Sequence, residues 1–370
     1  MFKMSSLMRL KKIWIFVTLI LAFFLSLHMS DVLVKNAEKD LEELIEDETS
    51  PTALTTTTTI VKGGETSLKV TTKTTTKNPK TPKTKKAEVV DPNTCPLISP
   101  LLKGDVKIDL FPSNKKDKWP PSEDELIKLM PQLSNNVRNI YKGPSKCNCR
   151  SKTAVIVPYR ARTEHLKFFL FYTHQMLQRQ QLCYVIFVVT QDDREIFNKG
   201  KLMNAGFIEA KKYGEFDCFI FHDVDLIAMN DKISYTCKDE QVVHYSFAMK
   251  QFDFKPMYLG YVGGALGFTK QQFETVNGFS NQYVGHGGED DDMQRRIRVR
   301  QIKVWEPKES FVKYTNLPHG RDIGNPKNKM MTKLMEKAAT RIDTDGLKSF
   351  SVKKVTIAKH KTYVEILVTL

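Results

Sequence analysis

Short apolar runs alternate with longer amphipathic segments through the middle of the chain. Three runs, residues 153–157, 184–189 and 218–221, have the length and composition of buried strands. Between them, residues 163–180 and 195–212 place apolar side chains at helical spacing. This strand-helix-strand-helix-strand order predicts an α/β domain with a Rossmann-like, mostly parallel sheet and right-handed crossovers.

Two carboxylates, Asp223 and Asp225, directly follow the third apolar run. Residues two apart at the end of a strand point to the same face, and ligands of open α/β sheets bind at the carboxyl ends of the strands. The pair is therefore placed to hold a hard divalent cation and, through it, a diphosphate. A solvated loop after a strand would show the same short pattern, so this motif needs partners elsewhere in the chain.

Glycines and acids are concentrated in two later segments. The pair Gly263 and Gly264 lets the backbone approach a ligand closely, although a tight turn explains it equally well. Residues 285–288 contain three glycines and precede four consecutive acids, residues 289–292, which lead into a predicted helix at residues 293–299. The helix dipole favours acids in a first turn, but four exceed what capping requires. A carboxylate near a helix N-terminus is a candidate general base.

The N-terminus combines a basic segment with an uncharged apolar run. Residues 1–12 carry four basic side chains and no acid, and residues 13–29 contain no charge. As a helix the apolar run would be about 25 Å long, enough to span a thin internal membrane. Because residues 27–30 lack the small residues of a cleavage site, we expect an uncleaved transmembrane signal anchor rather than a signal peptide. The basic flank predicts a cytosolic tail at residues 1–12 and a lumenal remainder.

Composition divides the lumenal part into a stem and a globular domain. Residues 51–86 are rich in Thr, Lys and Pro and too poor in apolar side chains to offset the entropy of ordering. We therefore predict a disordered stem at residues 30–94 and a globular domain at residues 95–370. Many of the lysines behind the net charge of +15 lie in the stem. The charge thus says little about a site, and the predicted lumenal location argues against a nucleic-acid partner.

The globular domain contains all six cysteines of the chain. In an oxidising compartment disulfides are the default, but their connectivity does not follow from the number of cysteines. Cys147 and Cys149 lack zinc-finger spacing and have no histidine cluster nearby, so a structural zinc site is not expected.

Several short motifs follow one another from about Cys95 to the C-terminus. They are VPYRAR (157–162), FNKGKL (197–202), FHDVDL (221–226), YVGG (261–264), NGF (277–279), GGEDDD (287–292) and HGRD (319–322). Each motif is short, but the ordered combination is specific. It resembles the animal β-1,4-galactosyltransferase family closely.

The resemblance implies a GT-A nucleotide-sugar fold in which Mn²⁺ holds the diphosphate of a UDP-sugar. It assigns Asp225 and His319 to the metal, and it makes Asp290 the general base, with Glu289 and Asp291 beside it as further catalytic carboxylates. By itself, His319 in a loop would more often be structural. The residues implied for the donor site are Pro158, Arg160, Arg162, Phe197, Lys199, Asp223, Val224, Tyr261, Gly263 and His286.

The same resemblance implies two disulfides and one buried free thiol. They are Cys218 with Cys237, Cys95 with one of Cys147 or Cys149, and a free Cys183.

Four positions bear on specificity. Asn316 stands where the family usually has a metal-ligating Met, and because an amide oxygen is a harder ligand, Mg²⁺ is a possible alternative to Mn²⁺. His286 replaces a Trp that touches both sugars, and Lys199 replaces an Arg that contacts the donor sugar. Tyr261 is the bulky residue typical of members that use galactose. The donor therefore stays open among UDP-Gal, UDP-GlcNAc, UDP-GalNAc and UDP-Glc.

The predicted function is that of a metal-dependent, inverting β-1,4-glycosyltransferase in the Golgi membrane, a single-pass type II protein. It would move a hexose to the 4-hydroxyl of a terminal β-GlcNAc on a glycoprotein or glycolipid; one base and no nucleophile predict inversion. The acceptor pocket corresponds to Met331, Thr332 and Met335, which differ from the usual residues. The alternatives are a β-1,4-N-acetylhexosaminyltransferase and a non-catalytic carbohydrate-binding relative, and the retained carboxylates argue against the second.

Overall fold

The structure is a computed structural model that describes residues 91–110, 119–133, 142–320 and 325–370. These residues belong to one compact unit, Ala87–Leu370. The predicted cytosolic tail, the predicted signal anchor and nearly all of the predicted stem lie outside the described residues. Within the described ranges, no helix is long and apolar enough to cross a membrane.

The strands of the described ranges form two sheets. They are β1 (Lys152–Tyr159), β2 (Cys183–Gln191), β3 (Cys218–His222), β4 (Leu226–Ala228), β5 (Gln241–His244), β6 (Ala265–Phe268), β7 (Lys303–Trp305), β8 (Tyr314–Asn316), β9 (Lys354–Lys359) and β10 (Val364–Thr369). The larger sheet has eight strands in the order β7-β5-β6-β3-β1-β2-β10-β9, and the smaller sheet pairs β4 with β8.

The three strands predicted from apolar runs lie side by side and run parallel. Strand β1 pairs with β2 from Lys152 opposite Cys183, and with β3 from Thr153 opposite Cys218. Strand β10 continues the parallel part next to β2, whereas β6 pairs antiparallel with β3. The predicted Rossmann-like sheet is therefore confirmed as a mixed, mostly parallel sheet.

Helices connect these strands at the predicted places. The helices of the described ranges are α1 (Glu123–Leu129), α2 (Thr163–Arg179), α3 (Lys199–Tyr213), α4 (Lys270–Thr275), α5 (Glu289–Val299), α6 (Met331–Glu336) and α7 (Ala338–Arg341), with 3₁₀ turns at Pro131–Leu133, Lys250–Phe252 and Leu347–Ser349. Helices α2 and α3 agree with the predicted segments within a few residues at each end.

Alternate residues of β1 pack into two apolar layers on opposite faces of the large sheet. Val155 and Val157 lie in the layer that includes side chains of α2, and Ala154 and Ile156 lie in the layer that includes side chains of α3. All four are fully buried. Burial of each larger apolar side chain contributes about 1.5–3 kcal/mol. Because both faces are covered, the ends of the strands are where polar side chains remain available to form a site.

The small sheet joins two distant parts of the chain. Leu226 of β4 lies opposite Asn316 of β8 in an antiparallel register. The amide of Leu317 also donates to the carbonyl oxygen of Asp225 at 2.7 Å. The segment after the third central strand is thereby fastened to the segment that carries Asn316 and His319.

All six cysteines are paired. The implied Cys218–Cys237 bridge is present, and Cys95 pairs with Cys147, which resolves the alternative left open by the sequence. The predicted free thiol at Cys183 is wrong, because Cys183 forms a third bridge with Cys149. The physical reason is the start of the β1–β2 pairing, where Cys183 lies opposite Lys152 and its amide donates to the Ser151 carbonyl oxygen at 3.2 Å, next to the segment containing Cys149.

Candidate active site

The turn after β3 presents two carboxylates at the carboxyl edge of the large sheet. It is closed by a hydrogen bond from the Leu226 amide to the Asp223 carbonyl oxygen at 3.3 Å. The Asp225 carboxylate lies 2.9 Å from Nε2 of His319 and 3.9 Å from Arg162. The turn thus places Asp223 and Asp225 next to cationic or metal-ligating partners from other segments.

The pairing of Asp225 with His319 shifts the pKa values of both groups. Burial disfavours the charge of Asp225, but the His319 hydrogen bond and the positive charges of His319 and Arg162 outweigh it, so the pKa of Asp225 falls below its ordinary value. The hydrogen bond to Asp225 raises the pKa of His319 against the effect of its own burial. The two side chains form an acid–base pair at the rim of the sheet.

Asn316 has the environment expected of an unused ligand. Its side-chain oxygen Oδ1 is buried and has no hydrogen-bond partner among the described residues. Such an atom is costly unless a further group satisfies it. Through the β4–β8 pairing, Asn316 lies beside the residue that follows Asp225.

These side chains fit a divalent cation. Within the described part of the chain, no three His, Cys, Asp or Glu side chains cluster closely enough to hold a metal by themselves. A carboxylate from Asp225, an imidazole from His319 and the amide oxygen of Asn316 together provide one nitrogen and two oxygen donors. Oxygen donors suit Mn²⁺ and Mg²⁺, and imidazole favours the transition metal.

An open cleft beside the turn collects most of the predicted donor-site residues. It is lined by Pro158, Arg160, Arg162, Phe197, Lys199, Asp223, Val224, Asp225 and Asn325. Arg160 lies over the ring of Phe197, 5.0 Å from its centroid. Two guanidinium groups next to paired carboxylates can bind a diphosphate and its counter-cation together.

Lys199, the first residue of α3, links the turn to the acidic helix α5. Its Nζ lies 3.0 Å from Asp223, 3.4 Å from Glu289 and 3.3 Å from Asp290. Burial disfavours the charge of Lys199, but these carboxylates outweigh it and raise the pKa of Lys199 well above its ordinary value. Burial raises the pKa of Asp223 to about 6 and that of Glu289 to about 7, and Lys199 acts in the opposite direction on both.

The helix of the acidic motif begins at Glu289, four residues earlier than the prediction of residues 293–299. Its N-cap is Gly288, whose φ of 98° is a left-handed conformation that glycine adopts without strain. All four acids therefore lie in the first helical turn, and they point in different directions. Glu289 and Asp290 face Lys199, and Asp291 accepts a hydrogen bond from the Tyr258 hydroxyl.

Asp292 points into the protein and is fully buried. It pairs with Arg296 one turn later and with Arg341 at 3.1 Å, and it accepts a hydrogen bond from the Tyr283 hydroxyl at 3.0 Å. Its role is to hold the helix that carries the other three acids.

Gly263 brings the backbone against the predicted base. A Cβ atom at Gly263 would lie 2.2 Å from the Tyr261 hydroxyl and 2.5 Å from Oδ2 of Asp290. No side chain fits there, so this glycine is required by a close approach rather than by a turn alone. Tyr261, Gly263 and Asp290 therefore meet at one point.

Three predicted donor-site residues do not line the cleft: Tyr261 and Gly263 lie beside Asp290, and His286 lies elsewhere. Its side chain is exposed, and its backbone pairs with the segment of Pro326 to Asn328. Thr332 and Met335 lie on helix α6 and Met331 begins it. The Sδ atom of Met335 lies 3.3 Å from the Tyr283 hydroxyl.

Two polar residues near the site were missed in the sequence. Asn325 lines the cleft, and its Oδ1 is buried without a partner among the described residues. His165, in the first turn of α2, lies with its ring centroid 5.9 Å from that of His319. Neither residue belongs to a spacing pattern that indicates a site, and no local signal distinguishes them from ordinary loop or helix residues.

A mixed sheet with an Asp-Val-Asp turn at its carboxyl edge, facing an acidic helix, is a GT-A-like glycosyltransferase fold. The catalytic domain of Drosophila β-1,4-galactosyltransferase 7, solved with xylobiose, has a similar fold. The TM-score is 0.50 with 28% identity, over 60% of this chain and 94% of that domain. A mutant of the same enzyme, in complex with manganese, UDP-Gal and xylobiose, matches equally well.

Family models and relatives define the family more closely. Residues 95–238 match the N-terminal region of glycosyl transferase group 7, and residues 243–320 match the model described as the N-terminal domain of galactosyltransferase. Human β-1,4-galactosyltransferase 4 is 38% identical over 285 residues, which cover 77% of this chain and 78% of the relative. Human β-1,4-galactosyltransferase 1 is 38% identical over 274 residues, or 74% of this chain and 66% of that protein. The chain belongs to the β-1,4-galactosyltransferase family.

Proposed function

We propose that this protein is a metal-dependent, inverting β-1,4-galactosyltransferase. It transfers galactose from UDP-galactose to the 4-hydroxyl of a terminal β-linked N-acetylglucosamine on a glycoprotein or glycolipid. The relatives named β-1,4-galactosyltransferase and the manganese and UDP-Gal complex of the Drosophila enzyme support this activity. The observation that carries the proposal is the cleft in which Lys199 joins the Asp223 turn to Asp290.

The donor nucleotide binds along the cleft beside β1. Arg160 and Arg162 follow this strand and provide positive charge for the phosphates, and Phe197 supports Arg160 through ring stacking. Asp225, His319 and Asn316 would hold Mn²⁺, with Mg²⁺ as an alternative. When bound, the metal stabilises the negative charge that develops on the leaving diphosphate.

Asp290 acts as the general base. A sugar hydroxyl is a weak nucleophile, and a carboxylate that accepts its proton during attack on the anomeric carbon lowers the barrier. Lys199, 3.3 Å away, forms an ion pair with the carboxylate of Asp290 and holds its orientation. Asp291 adds negative charge beside the electron-poor sugar ring. Glu289 lies next to the base, and its pKa of about 7 leaves it partly protonated near neutral pH. Because a single base acts without a protein nucleophile, an α-linked donor gives a β-linked product.

Galactose is the proposed donor sugar because of Tyr261. Its hydroxyl reaches the Gly263 backbone next to Asp290, so the ring occupies space beside the reacting groups. An N-acetyl substituent on the donor requires additional room in the same region. Transfer of an N-acetylhexosamine is therefore the competing outcome of the donor test rather than a second proposal.

The proposed location is the Golgi membrane, with the catalytic domain in the lumen. It is supported by the basic residues before the apolar run 13–29, which favour a single-pass type II orientation. The three disulfides of the domain are typical of an oxidising compartment. Immunofluorescence of the tagged full-length chain, with selective permeabilisation of the plasma membrane, tests both location and orientation.

A donor screen tests the activity. The full-length chain is incubated with p-nitrophenyl-β-GlcNAc as acceptor and each of UDP-Gal, UDP-Glc, UDP-GalNAc and UDP-GlcNAc, with Mn²⁺ or with EDTA. We expect transfer from UDP-Gal that EDTA abolishes, and a β-1,4 linkage in the product by NMR. Transfer mainly from an N-acetylated donor would overturn the choice of sugar. Sugar binding that survives EDTA, without transfer from any donor, would indicate a carbohydrate-binding protein instead.

A further inference from the structure

A chain of hydrogen bonds runs beneath the metal-binding turn, between side chains that are at most 1% exposed. Tyr314 donates its hydroxyl hydrogen to the Tyr235 hydroxyl at 3.0 Å. The Tyr235 hydroxyl in turn lies 2.8 Å from Nε2 of His222. The other ring nitrogen of His222, Nδ1, lies 2.8 Å from the carbonyl oxygen of Asp223. The chain therefore ends on the backbone of the turn.

The groups at its ends define the direction of each hydrogen bond. A carbonyl oxygen can only accept, so Nδ1 of His222 carries the hydrogen. Burial lowers the pKa of His222 to about 4, which keeps the ring neutral and leaves Nε2 as an acceptor. Tyr235 thus donates to His222 and accepts from Tyr314. A single hydroxyl joins both halves of the chain.

At one end, this hydrogen-bond chain supports the turn that carries Asp223 and Asp225. The Asp223 carbonyl oxygen accepts from Nδ1 of His222 and from the amide of Leu226, at 2.8 and 3.3 Å. Both of its lone pairs are therefore occupied. The peptide unit between Asp223 and Val224 is held from two sides. Because this fixes the backbone of the turn, it also fixes the direction in which the Asp225 side chain leaves the turn.

At the other end, the hydrogen-bond chain supports the strand that carries Asn316. Tyr314 and Asn316 are two residues apart on β8, so their side chains lie on the same face of that strand. A fixed Tyr314 hydroxyl sets the rotation of β8 about its own axis. This rotation decides where the amide oxygen of Asn316 points.

Tyr235 is itself held firmly. Its amide donates to the Gln180 side chain at 3.1 Å, and its carbonyl oxygen accepts from the Thr153 hydroxyl at 2.9 Å. The Cys218–Cys237 disulfide fastens the same segment to β3. The Tyr235 hydroxyl is therefore a fixed point between two segments that are far apart in sequence.

We propose that Tyr235 is a positioning residue for the metal site, which sets the placement of Asp225 relative to Asn316 through its one hydroxyl. The inference rests on the proposed function, since that function identifies Asp225, Asn316 and His319 as the metal ligands. Tyr235 is 1% exposed and acts on the site through His222 and the turn.

Mn²⁺ binding to the full-length chain tests this role. Tyr235→Phe removes the shared hydroxyl and leaves the ring in place. Binding of Mn²⁺ alone is followed by loss of the EPR signal of the free aqueous ion, and thermal unfolding is recorded in parallel. We expect the Mn²⁺ dissociation constant to rise about tenfold or more, the range found when outer partners of metal ligands are removed.

Tyr245→Phe is the matched control. Tyr245 is equally buried, and its ring centroid lies 5.2 Å from that of Tyr235. Its hydroxyl donates to the Thr236 carbonyl oxygen, which is not part of the hydrogen-bond chain. We expect Tyr245→Phe to lower the unfolding temperature while the Mn²⁺ dissociation constant stays within about twofold of wild type. If Tyr235→Phe does not fold, Tyr314→Phe, which removes only the outer donor, takes its place.

Three outcomes are decisive. Weakened Mn²⁺ binding in Tyr235→Phe but not in Tyr245→Phe supports the role. The double variant Tyr235→Phe/Tyr314→Phe should then bind Mn²⁺ no more weakly than Tyr235→Phe alone, because both changes break the same hydrogen-bond chain. Equal Mn²⁺ affinity in Tyr235→Phe and wild type overturns it while the proposed function stands. A wild-type chain that neither binds Mn²⁺ nor transfers sugar overturns the proposed function and this inference together.

Discussion

Two acidic segments face the same cleft, and they present their carboxylates in opposite ways. The first is the turn with Asp223 and Asp225, where residues two apart leave the end of a strand on the same side. The second is the first turn of α5, where consecutive side chains are rotated by about 100° from one another. In the turn both acids reach the site, whereas in the helix Glu289 and Asp290 face Lys199, and Asp292 faces the core.

The comparison shows that the number of acids in a motif does not equal the number of site residues. A strand end sorts side chains into two directions, so alternate acids reach the same site, although Asp223 pairs there with Lys199 and Asp225 with His319. A helix sorts them into several directions, so neighbouring acids have different partners and different consequences when removed. Variants that separate these directions provide the strongest tests.

The largest effect is expected at the helix residue that faces the cleft. Asp290→Asn removes the proton acceptor but keeps the side-chain volume, and we expect kcat to fall by about 10²- to 10⁴-fold. Binding of UDP should change little, as measured by calorimetry. The control is Asp343→Asn, a change at an exposed acid remote from this cleft. A rate for Asp290→Asn equal to wild type would show that another group takes the proton.

The second-largest effect is expected at Asp292, whose side chain points into the protein. Asp292→Asn removes one of the two buried carboxylates that pair with Arg296 and Arg341, the other being Asp345, so the loss of unfolding free energy should be smaller than the roughly 3–5 kcal/mol of a charge left wholly unpaired. Chemical denaturation measures this loss. The rate of the variant that remains folded should stay within a few-fold of wild type. A stable but inactive Asp292→Asn would mean that Asp292 belongs to the chemistry.

The third test addresses the strand-end turn through pH. The Asp225 hydrogen bond raises the pKa of His319 above its ordinary value of 6.5, so the charged form is favoured up to a higher pH. A protonated imidazole cannot bind a metal, and Mn²⁺ affinity should therefore fall about tenfold per pH unit below that raised pKa. EPR titration at several pH values checks this slope. In His319→Ala the slope should disappear, and an unchanged slope would exclude His319 as a ligand.

The smallest effect is expected at Asn316. An amide oxygen is a harder donor than a thioether, so Asn316→Met should raise the ratio of Mn²⁺-supported to Mg²⁺-supported activity by a few-fold. Initial rates at saturating concentrations of each metal provide the comparison. Thr315→Val, one residue away on the same strand, controls for disturbance of β8. Identical metal preference in native and Asn316→Met protein would exclude Asn316 from the metal site.

Much of the fold could be predicted from local patterns. The apolar runs that became β1, β2 and β3 are long enough, and bounded sharply enough, to indicate buried strands. The predicted start of α5 lies four residues too late, because the four acids precede the residues from which the helix is predicted. Positive φ at Gly288 provides the sharp entry that makes the earlier start possible.

The candidate site was predictable in part. The motif residues that line the cleft, such as Arg162 and Lys199, follow strand ends in the order that a parallel sheet requires. Asn325 and His165 were missed because their roles depend on segments that meet only in the folded chain. The pairing of Cys149 with Cys183 was missed for the same reason, since it depends on the contact of Cys183 with the Ser151 backbone at the start of the β1–β2 pairing.

The central strands, the crossover helices, and the order of the acidic and basic motifs along the chain follow from the amino-acid sequence alone. These depend on side-chain periodicity over a few residues, which is a local property. The tertiary structure decided which acid faces which partner, where the amide oxygen of Asn316 lies, and how Tyr235 joins two distant segments. Such contacts depend on the relative placement of elements far apart in sequence, and no local period encodes that placement.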